Sequence, residues 1–396
     1  RGTKRAFAVD DGTIDGWQLV WGAARGAEAY GGKTLTYHRV NKIERSNGQV
    51  TAVICTDRRN EEEVRIGCHF VLNCAGPWGG EIAAMADCHD VDVVPGAGIM
   101  IAMNHRLTQA VLNRCIYPAD GDILVPVHPV CIIGTTDHMV DSPDDLPIPR
   151  QQVQEMMDAG ELMTPGFRKA RAIHSWAGAR PLVKDSRVSD DDTRHMARGM
   201  QIIDHLKRDD LRGLLTIAGG KLTTYRLMAE RIVDVMCEQL GEERECRTAD
   251  EPVPGSENRK LYKLSHRLKD VETETPAPSG QQIICECELV TRDMLERAMY
   301  ELPEFNLDDV RRQVRLGMGP CQGGFCASRA AGIANQQGHW DPERATEMLR
   351  LFLKNRWHGI WPILYGDQVK QTALDSWIYE GTFDLEHLPA PSKESF

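Results

Sequence analysis

Gly317-Met-Gly-Pro-Cys-Gln-Gly-Gly-Phe-Cys326, read together with Cys285-Glu-Cys287, decides how the C-terminal part of this chain folds. Its glycines and Pro320 exclude regular structure around Cys321, which leaves the backbone free to bend around something small. Cys326 then opens a helix-like run, Ala327 to Gln336, and the partial positive charge of a helix N-terminus favours thiolate over thiol. In an extended segment, residues two apart share a side. Cys285 and Cys287 therefore present their sulfurs together, with Glu286 facing away. Four thiolates at this spacing can enclose an iron–sulfur cluster. Structural zinc favours Cys-x2-Cys to Cys-x4-Cys knuckles and fits only in part, and four ordinary buried thiols remain a third reading.

Working outward, 396 residues exceed one small core and suggest two or three domains. A net charge of −11 argues against a nucleic-acid partner. No apolar run approaches the ~20 residues that cross a bilayer, so the chain is expected to be cytoplasmic or to meet a membrane from the side. The eight cysteines outside the set of four, at 55, 68, 74, 88, 115, 131, 237 and 246, lie singly in apolar or strand-like surroundings and read as reduced, mostly buried thiols. The chain begins at Arg1 and enters directly into Phe7-Ala-Val-Asp-Asp-Gly12, which reads as a fragment.

Residues 1–250 alternate β-rich runs with helices, the pattern of an α/β or mixed-sheet enzyme core. Expected elements are a helix from Trp17 to Gly31, a strand from Thr34 to Val40, and a hairpin turning at Ser46-Asn-Gly48 between Ile43–Arg45 and Val50–Thr56. Phe70 to Ala75 reads as a fully buried strand stopping at Gly76. Further strands are expected at 98–103, 123–127, 130–134 and 214–218, the last running through Gly219-Gly220 into a helix from Thr224 to Leu240. Residues 251–283 read as a linker with one short helix, 284–336 as the cysteine domain, and 337–396 as an aromatic-rich tail. Within that tail Phe352 to Tyr365 is either a partner-binding segment or, as apolar stripes at helical spacing usually are, a packed helix.

Three glycine elements bear on chemistry in the larger part. Asn73-Cys-Ala-Gly-Pro-Trp78 is a strand stopping on Gly76, where backbone can approach a flat cofactor. Gly219-Gly-Lys-Leu-Thr-Thr-Tyr-Arg226 leads into a helix whose first amides and Lys221 can meet an anion. Gly134-Thr-Thr-Asp137 is the third. Together with Asp11-Gly-Thr-Ile-Asp15, Gly121-Asp-Ile-Leu-Val-Pro126 and Ser175-Trp-Ala-Gly-Ala-Arg-Pro-Leu182, these resemble the FAD-dependent glycerol-3-phosphate dehydrogenases of the D-amino-acid-oxidase-like flavoprotein group. The stretch from Cys285 to Gly332 resembles the bacterioferritin-associated-ferredoxin (BFD-like) type of [2Fe-2S] domain, and the joining of the two resembles the large catalytic subunit of the anaerobic, quinone-linked branch.

That resemblance implies a D-amino-acid-oxidase-like α/β core plus a small helical BFD-like domain, with FAD and a [2Fe-2S] cluster as cofactors. Cys285, Cys287, Cys321 and Cys326 become the cluster ligands. It implies oxidation of sn-glycerol 3-phosphate to dihydroxyacetone phosphate at the cytoplasmic face of the inner membrane. Electrons would pass to other dehydrogenase subunits, of flavin and membrane-anchor iron–sulfur type, and through them to the quinone pool. Arg180 matches the arginine facing the substrate beside the flavin, where a fixed cation would stabilise developing negative charge. Arg198 matches an arginine for the substrate phosphate. Gly76, Gly219, Gly220, Lys221, Leu222 and Thr223 match flavin-contacting positions, with a cation suited to reduced, anionic flavin.

The sequence also departs from the family pattern. The nucleotide-binding Gly-x-Gly-x-x-Gly is absent, as is an upstream substrate-binding arginine, so the chain as written would hold only the re-entrant side of the flavin site. Where aerobic relatives carry a histidine proposed as base, this chain has Gly98. His128 and His138 lie near in sequence, but no base is assigned. Two other functions fit the same residues. One is a flavin dehydrogenase for an amine, amino acid or opine, which needs one carboxylate-binding cation where a phosphate suits two. The other is a non-catalytic iron–sulfur relay module.

Overall fold

A computed structural model of the chain describes residues 5–10, 12–115, 121–183, 199–257, 264–273, 282–302, 304–384 and 387. Helix α1 (Gly16–Ala29) starts where Asp15 accepts hydrogen bonds from the amides of Trp17 and Gln18, a side-chain N-cap. A three-stranded antiparallel sheet follows, β1 (His38–Ser46), β2 (Gln49–Asp57) and β3 (Glu62–Gly67). Its first hairpin turns at Asn47-Gly48, both at positive φ (51° and 69°), the type I′ geometry that this dipeptide favours. The strand expected at 34–40 starts only at His38, because Tyr37 sits at positive φ; its carbonyl still accepts from the Arg58 amide (2.9 Å) and its hydroxyl donates to Asp309 (2.7 Å). β1 then runs on through 43–45 as one strand with a register shift between Val40 and Lys42.

Next come β4 (Val71–Asn73), α2 (Gly79–Ala84) and the long β5 (Val93–Met103), then β6 (Leu112–Asn113), β7 (Ile123–Val127), β8 (Val130–Gly134) and β9 (His138–Met139). Of β4 only Asn73 is buried, so this strand is not the fully buried one expected. Helix α3 (Arg150–Met163) and β10 (Ala172–Val183) complete a six-stranded sheet in the order β10-β5-β8-β7-β6, with β9 also on β5. One face of that sheet packs on α3 through Ile99, Ile101, Ile133, Met156 and Phe167. A second small sheet has the order β11 (Gln201–Asp204), β12 (Leu214–Ala218), β4, the last two parallel; α4 (His205–Asp209) lies between β11 and β12, and α5 (Tyr225–Leu240) follows β12.

The C-terminal part comprises α6 (Leu264–Thr273), the short ladder β13 (Ile283–Cys285) with β14 (Val290–Thr291), then α7 (Arg292–Glu301), α8 (Leu307–Val314), α9 (Cys326–Gln336), α10 (Pro342–Ile360) and α11 (Asp367–Phe383). A single core unites it. Leu295, Leu307, Val310 and Ala330 pack with Met348 and Phe352 of α10 and Tyr379 of α11. The aromatic stretch from Phe352 is thus mostly interior, with Phe352, Ile360 and Ile363 buried and Trp357 and Trp361 exposed. Among the described residues no helix is long and apolar enough to cross a membrane. All twelve cysteines are unbridged, but of the eight outside the set of four only Cys55, Cys88 and Cys131 are buried, and Cys74 and Cys115 are exposed, so these thiols are not mostly buried as expected.

Candidate functional site

The four cysteines converge. Cys285 ends β13, Cys326 is the first residue of α9, and Cys321 lies in the glycine loop between them. Cys287 is on the turn after β13 rather than in extended structure, yet its sulfur lies 3.8 Å from that of Cys321. Cys285 pairs with Cys326 in the same way, and Cys321 and Cys287 lie close enough to perturb both. Glu286 points outward, as expected, to Arg329 (2.5 Å).

The spacing of the sulfurs separates the two metal readings. Tetrahedral zinc with Zn–S bonds of ≈2.3 Å would hold all four sulfurs about 3.8 Å from one another. Among the described residues, however, no three of these cysteines bring their sulfurs within 4.8 Å of one another. Two pairs set apart match the ligands of a two-iron centre, one pair to each iron. Within each pair one thiol is pulled down and the other pushed up. Cys321 is lowered by its hydrogen bond with Cys287 and by the amides of Gly323, Gly324 and Phe325. Cys285 is lowered by Cys326 and by the amides of Gly317 and Glu288. Amides aimed at sulfur are what a negatively charged cluster requires.

The cysteine loop is clamped from three elements. Arg171, beside β10, donates to Pro320 O (3.0 Å), Arg356 of α10 donates to Cys321 O (3.2 Å), and the Tyr379 hydroxyl of α11 donates to Gly323 O (3.1 Å). Glu288, next to Cys287, is fully buried between Arg315 (3.2 Å) and His128 Nδ1 (2.7 Å). His128 sits in the β7–β8 turn, so this contact ties the six-stranded sheet to the cluster motif.

Arg180 lies on β10, where it donates to Asp137 Oδ1 (3.0 Å), Thr135 Oγ1 (3.2 Å) and Thr136 O (3.3 Å). The Gly134-Thr-Thr-Asp137 motif is thus its cradle. A Cβ at Gly98 would overlap Thr135 Oγ1 and sit 2.6 Å from Arg180 Nη2, so the glycine makes room for the guanidinium. Gly98 pairs with Gly178 across the β5–β10 ladder, and a Cβ at Gly178 would meet open space, which leaves a flat patch beside the arginine. His138 pairs with Ala97, one residue out of step with Gly96 and Gly98, and so belongs to the opposite face of the sheet from Arg180. It is not placed to act as a base beside Arg180.

Gly76 and Gly219 leave β4 and β12, two parallel neighbours, at their carboxyl ends, where open α/β sheets bind ligands. Gly219 and Gly220 both have positive φ (73° and 78°), and a Cβ on them would overlap Gly199 O and Met228 Sδ, so no larger residue could make this turn. Lys221, Leu222 and Thr223 follow, exposed at the crevice. These small-residue walls fit a planar ring system, and the described residues supply no cradle for its nucleotide half. Arg198 falls outside the described residues.

Sequence reasoning missed a buried chain of hydrogen bonds beneath this crevice. Asn73 Nδ2 donates to Thr216 Oγ1 (3.1 Å), which lies 2.9 Å from His205 Nε2, while His205 Nδ1 meets Asp209 (2.6 Å). Burial lowers the pKa of His205. The neutral ring can therefore accept from Thr216 and donate to Asp209. The same Asn73 accepts from the amide of Ala75 (3.3 Å), which fixes the chain as it turns toward Gly76. The His205-x3-Asp209 spacing on α4 is the one trace of this network in the sequence.

Comparison with known proteins agrees with this geometry. Residues 2–232 match the family model of FAD dependent oxidoreductases, and residues 283–336 match the BFD-like [2Fe-2S] binding domain. The chain is 37% identical to a subunit of the anaerobic glycerol-3-phosphate dehydrogenase of Haemophilus influenzae, over 96% of this chain and 70% of that one. The corresponding Escherichia coli protein is also 37% identical, over 96% and 73%. This chain belongs to that family. Its cofactors are accordingly FAD and a [2Fe-2S] cluster. The fold is shared with a Bacillus halodurans glycerol-3-phosphate dehydrogenase solved with FAD, at a TM-score of 0.59 and 20% identity, over 88% of this chain and 74% of that one.

Proposed function

We propose that this chain oxidises sn-glycerol 3-phosphate to dihydroxyacetone phosphate and delivers the electrons through its cluster to further subunits and the quinone pool. The observation that carries the reading is 37% identity to the anaerobic dehydrogenase proteins across 96% of the chain, with oxidoreductase core and four-cysteine domain matched together. When bound, FAD supplies a two-electron acceptor for a secondary alcohol and the cluster a one-electron carrier. Conversion of the C2 alcohol to a ketone releases two electrons and two protons.

Arg180 binds the C2 oxygen. Its guanidinium is held at three points by residues 135–137 and keeps a fixed orientation, so it stabilises charge on that oxygen without reorganising. Arg198 meets the phosphate, for which a planar bidentate cation is suited. Lys221, with the Gly219-Gly220 turn, flanks the ring of the flavin and favours its reduced, anionic form. The cluster domain comprises 284–336, with 251–283 as linker and 337–396 as the tail, whose helices α10 and α11 share its core. A chain lacking membrane-spanning helices among its described residues and feeding a membrane acceptor would sit peripherally on the cytoplasmic face.

The test is turnover with the cofactor-loaded protein and an artificial electron-accepting dye, offering glycerol 3-phosphate, amino acids and amines in parallel. Glycerol 3-phosphate is expected to be the productive substrate. Turnover of an amino acid in its place would overturn the reading.

A further inference from the structure

The histidine beneath the crevice belongs to a second set of donors. Cys88, His205 and Asp209 bring a thiol sulfur, Nδ1 and a carboxylate oxygen within 4.8 Å of one another, the one group of its kind among the described residues. Each donor is placed by the local backbone. The chain leaving α2 turns at Asp87 (φ 59°), and the amide of Cys88 donates to Ala83 O (3.1 Å), which folds the thiol into the interior. His205 and Asp209 are four apart on α4 and so share one side of it, and Asp204 fixes that helix by capping the amides of Leu206 and Lys207. Burial and then the Asp209 carboxylate push the Cys88 thiol up to about 11, so this carboxylate faces the sulfur as well as the ring. Cys88 and His205 are buried, and Asp209, with 21% of its side chain exposed, gives the set its opening to solvent.

A thiol, an imidazole and a carboxylate are the donor types that zinc takes, and two ligands four apart on a helix are a recurrent metal spacing. We propose that Cys88, His205 and Asp209 bind one zinc ion, with water at the fourth position, at a site separate from the cluster. Sulfur and nitrogen donors disfavour magnesium and calcium, which take oxygen. Tetrahedral zinc bonds put ligand atoms about 3.3–3.6 Å apart, so the contact of 2.6 Å between His205 Nδ1 and Asp209 has to open by about 0.7 Å. Asp209 ends α4 and is partly exposed, which leaves its side chain room to make that adjustment. The outer groups are also in place. A metal-bound histidine ordinarily hydrogen-bonds its other nitrogen, and His205 Nε2 is 2.9 Å from Thr216 Oγ1, which Asn73 holds in turn (3.1 Å). Zinc at Nδ1 leaves the ring proton on Nε2, so this bond then runs from His205 to Thr216. The thiol releases its proton to solvent, one per zinc, and affinity therefore rises with pH. Thiolate and carboxylate carry two negative charges against Arg208, whose Nε lies 3.0 Å from Asp209, so the set stays net negative toward a cation. The ion ties the loop after α2 to α4 and holds Thr216 and Asn73, the residues behind the turn at Gly76.

The test uses the chain with FAD and its cluster in place, cleared of loose metal with a chelator and dialysed against zinc chloride at pH 7.5. Zinc per chain is measured beside iron and acid-labile sulfide, and X-ray absorption at the zinc edge reports the ligands. One zinc per chain is expected, with iron and sulfide unchanged and a single sulfur at ≈2.3 Å among nitrogen and oxygen neighbours. Thr216→Val removes only the outer partner of His205 and should weaken zinc about 10–100-fold, while Cys88→Ser and Asp209→Asn, which remove ligands, should weaken it further. Cys131→Ala, at a buried thiol elsewhere, should leave zinc uptake as it was. Should Cys88→Ser fail to fold, Asp209→Asn, a nearly isosteric change at a partly exposed position, decides. Three results would each overturn the proposal: a chain that takes up no zinc, a shell of four sulfurs, which puts the ion on the cluster cysteines, or zinc held as tightly by Asp209→Asn as by the unaltered chain.

Discussion

The cluster site and the flavin crevice are assembled by opposite strategies. The cluster residues lie within 42 positions of one another, from Cys285 to Cys326, and their loop is closed over by arginines and a tyrosine from three elements. The crevice is gathered from far apart in the sequence: Gly76, Gly98, residues 135–137, Arg180 and Gly219, carried on strands of two different sheets. A local motif names its own chemistry, whereas a crevice made of strand ends depends on register. Loss of a ligand should therefore abolish the first site outright, while changes at the second should grade its efficiency.

The largest effect expected is at Cys285→Ser. One sulfur of a buried pair is lost, and iron and acid-labile sulfide should fall to background while residues 1–250 stay folded by circular dichroism. Retained iron and sulfide would contradict the ligand assignment. Glu288→Ala comes next. It removes a buried carboxylate partner from both Arg315, which keeps Asp15 (3.1 Å), and His128, and breaking a buried pair of this kind costs up to about 3–5 kcal/mol. A large fall in thermal midpoint, with the cluster lost before the core unfolds, would confirm that Glu288 joins the two parts. A change below about 1 kcal/mol would show that the joint lies elsewhere.

Changes at the crevice should be smaller. Arg180→Lys keeps the charge but loses the three-point hold, and should lower kcat/KM about 100-fold. Gly98→Ala displaces the same guanidinium without touching it chemically and should move kcat/KM in the same direction by less. If Gly98→Ala were silent while Arg180→Lys was crippled, the glycine would not be what sets the arginine's place.

The same contrast explains what could be read from residues alone. The convergence of the four cysteines, the helix opened by Cys326 and the hairpin turn at Asn47-Gly48 follow from short-range rules and appear in the structure as expected. The cradle of Arg180 was visible only as two separate motifs, 133–137 and 175–182, since their contact depends on both β8 and β10 pairing with β5. Asn73, Thr216 and His205 meet because β4 and β12 run parallel, a pairing of strands 143 residues apart in sequence that leaves no local trace. At Tyr37 the strand expected at 34–40 gives way to positive φ, and the partner of its hydroxyl, Asp309, is 272 residues away. That Gln368, Asp375 and Tyr379 of α11 face inward escaped notice because polar residues at helical spacing are usually read as the solvent side.

The smallest effect is one of pH, and it bears on how the two regions are joined. His174 on β10 lies against Gly359 of α10, where a Cβ would overlap its ring, and Ser175 next to it donates to Gly359 O (2.9 Å). Burial, with Arg311 and Arg356 nearby, pushes the imidazole down to about 3. His128 and His205 are lowered too, chiefly by burial. The folded state therefore holds these rings neutral, while the unfolded chain takes up protons near pH 6.5. Stability is full above that value and declines as pH falls from about 6.5 toward the folded values, by at most ~1.4 kcal/mol per unit for each histidine. Urea midpoints at pH 7.5, 6.0 and 5.0 should drop in that order. His174→Phe should flatten the slope without lowering the midpoint at pH 5.0. Since the ring lies between sheet and cluster domain, acid should loosen that joint first, seen as cluster loss ahead of unfolding. A pH slope unchanged by His174→Phe would place the acid-sensitive group in His205 or His128 instead.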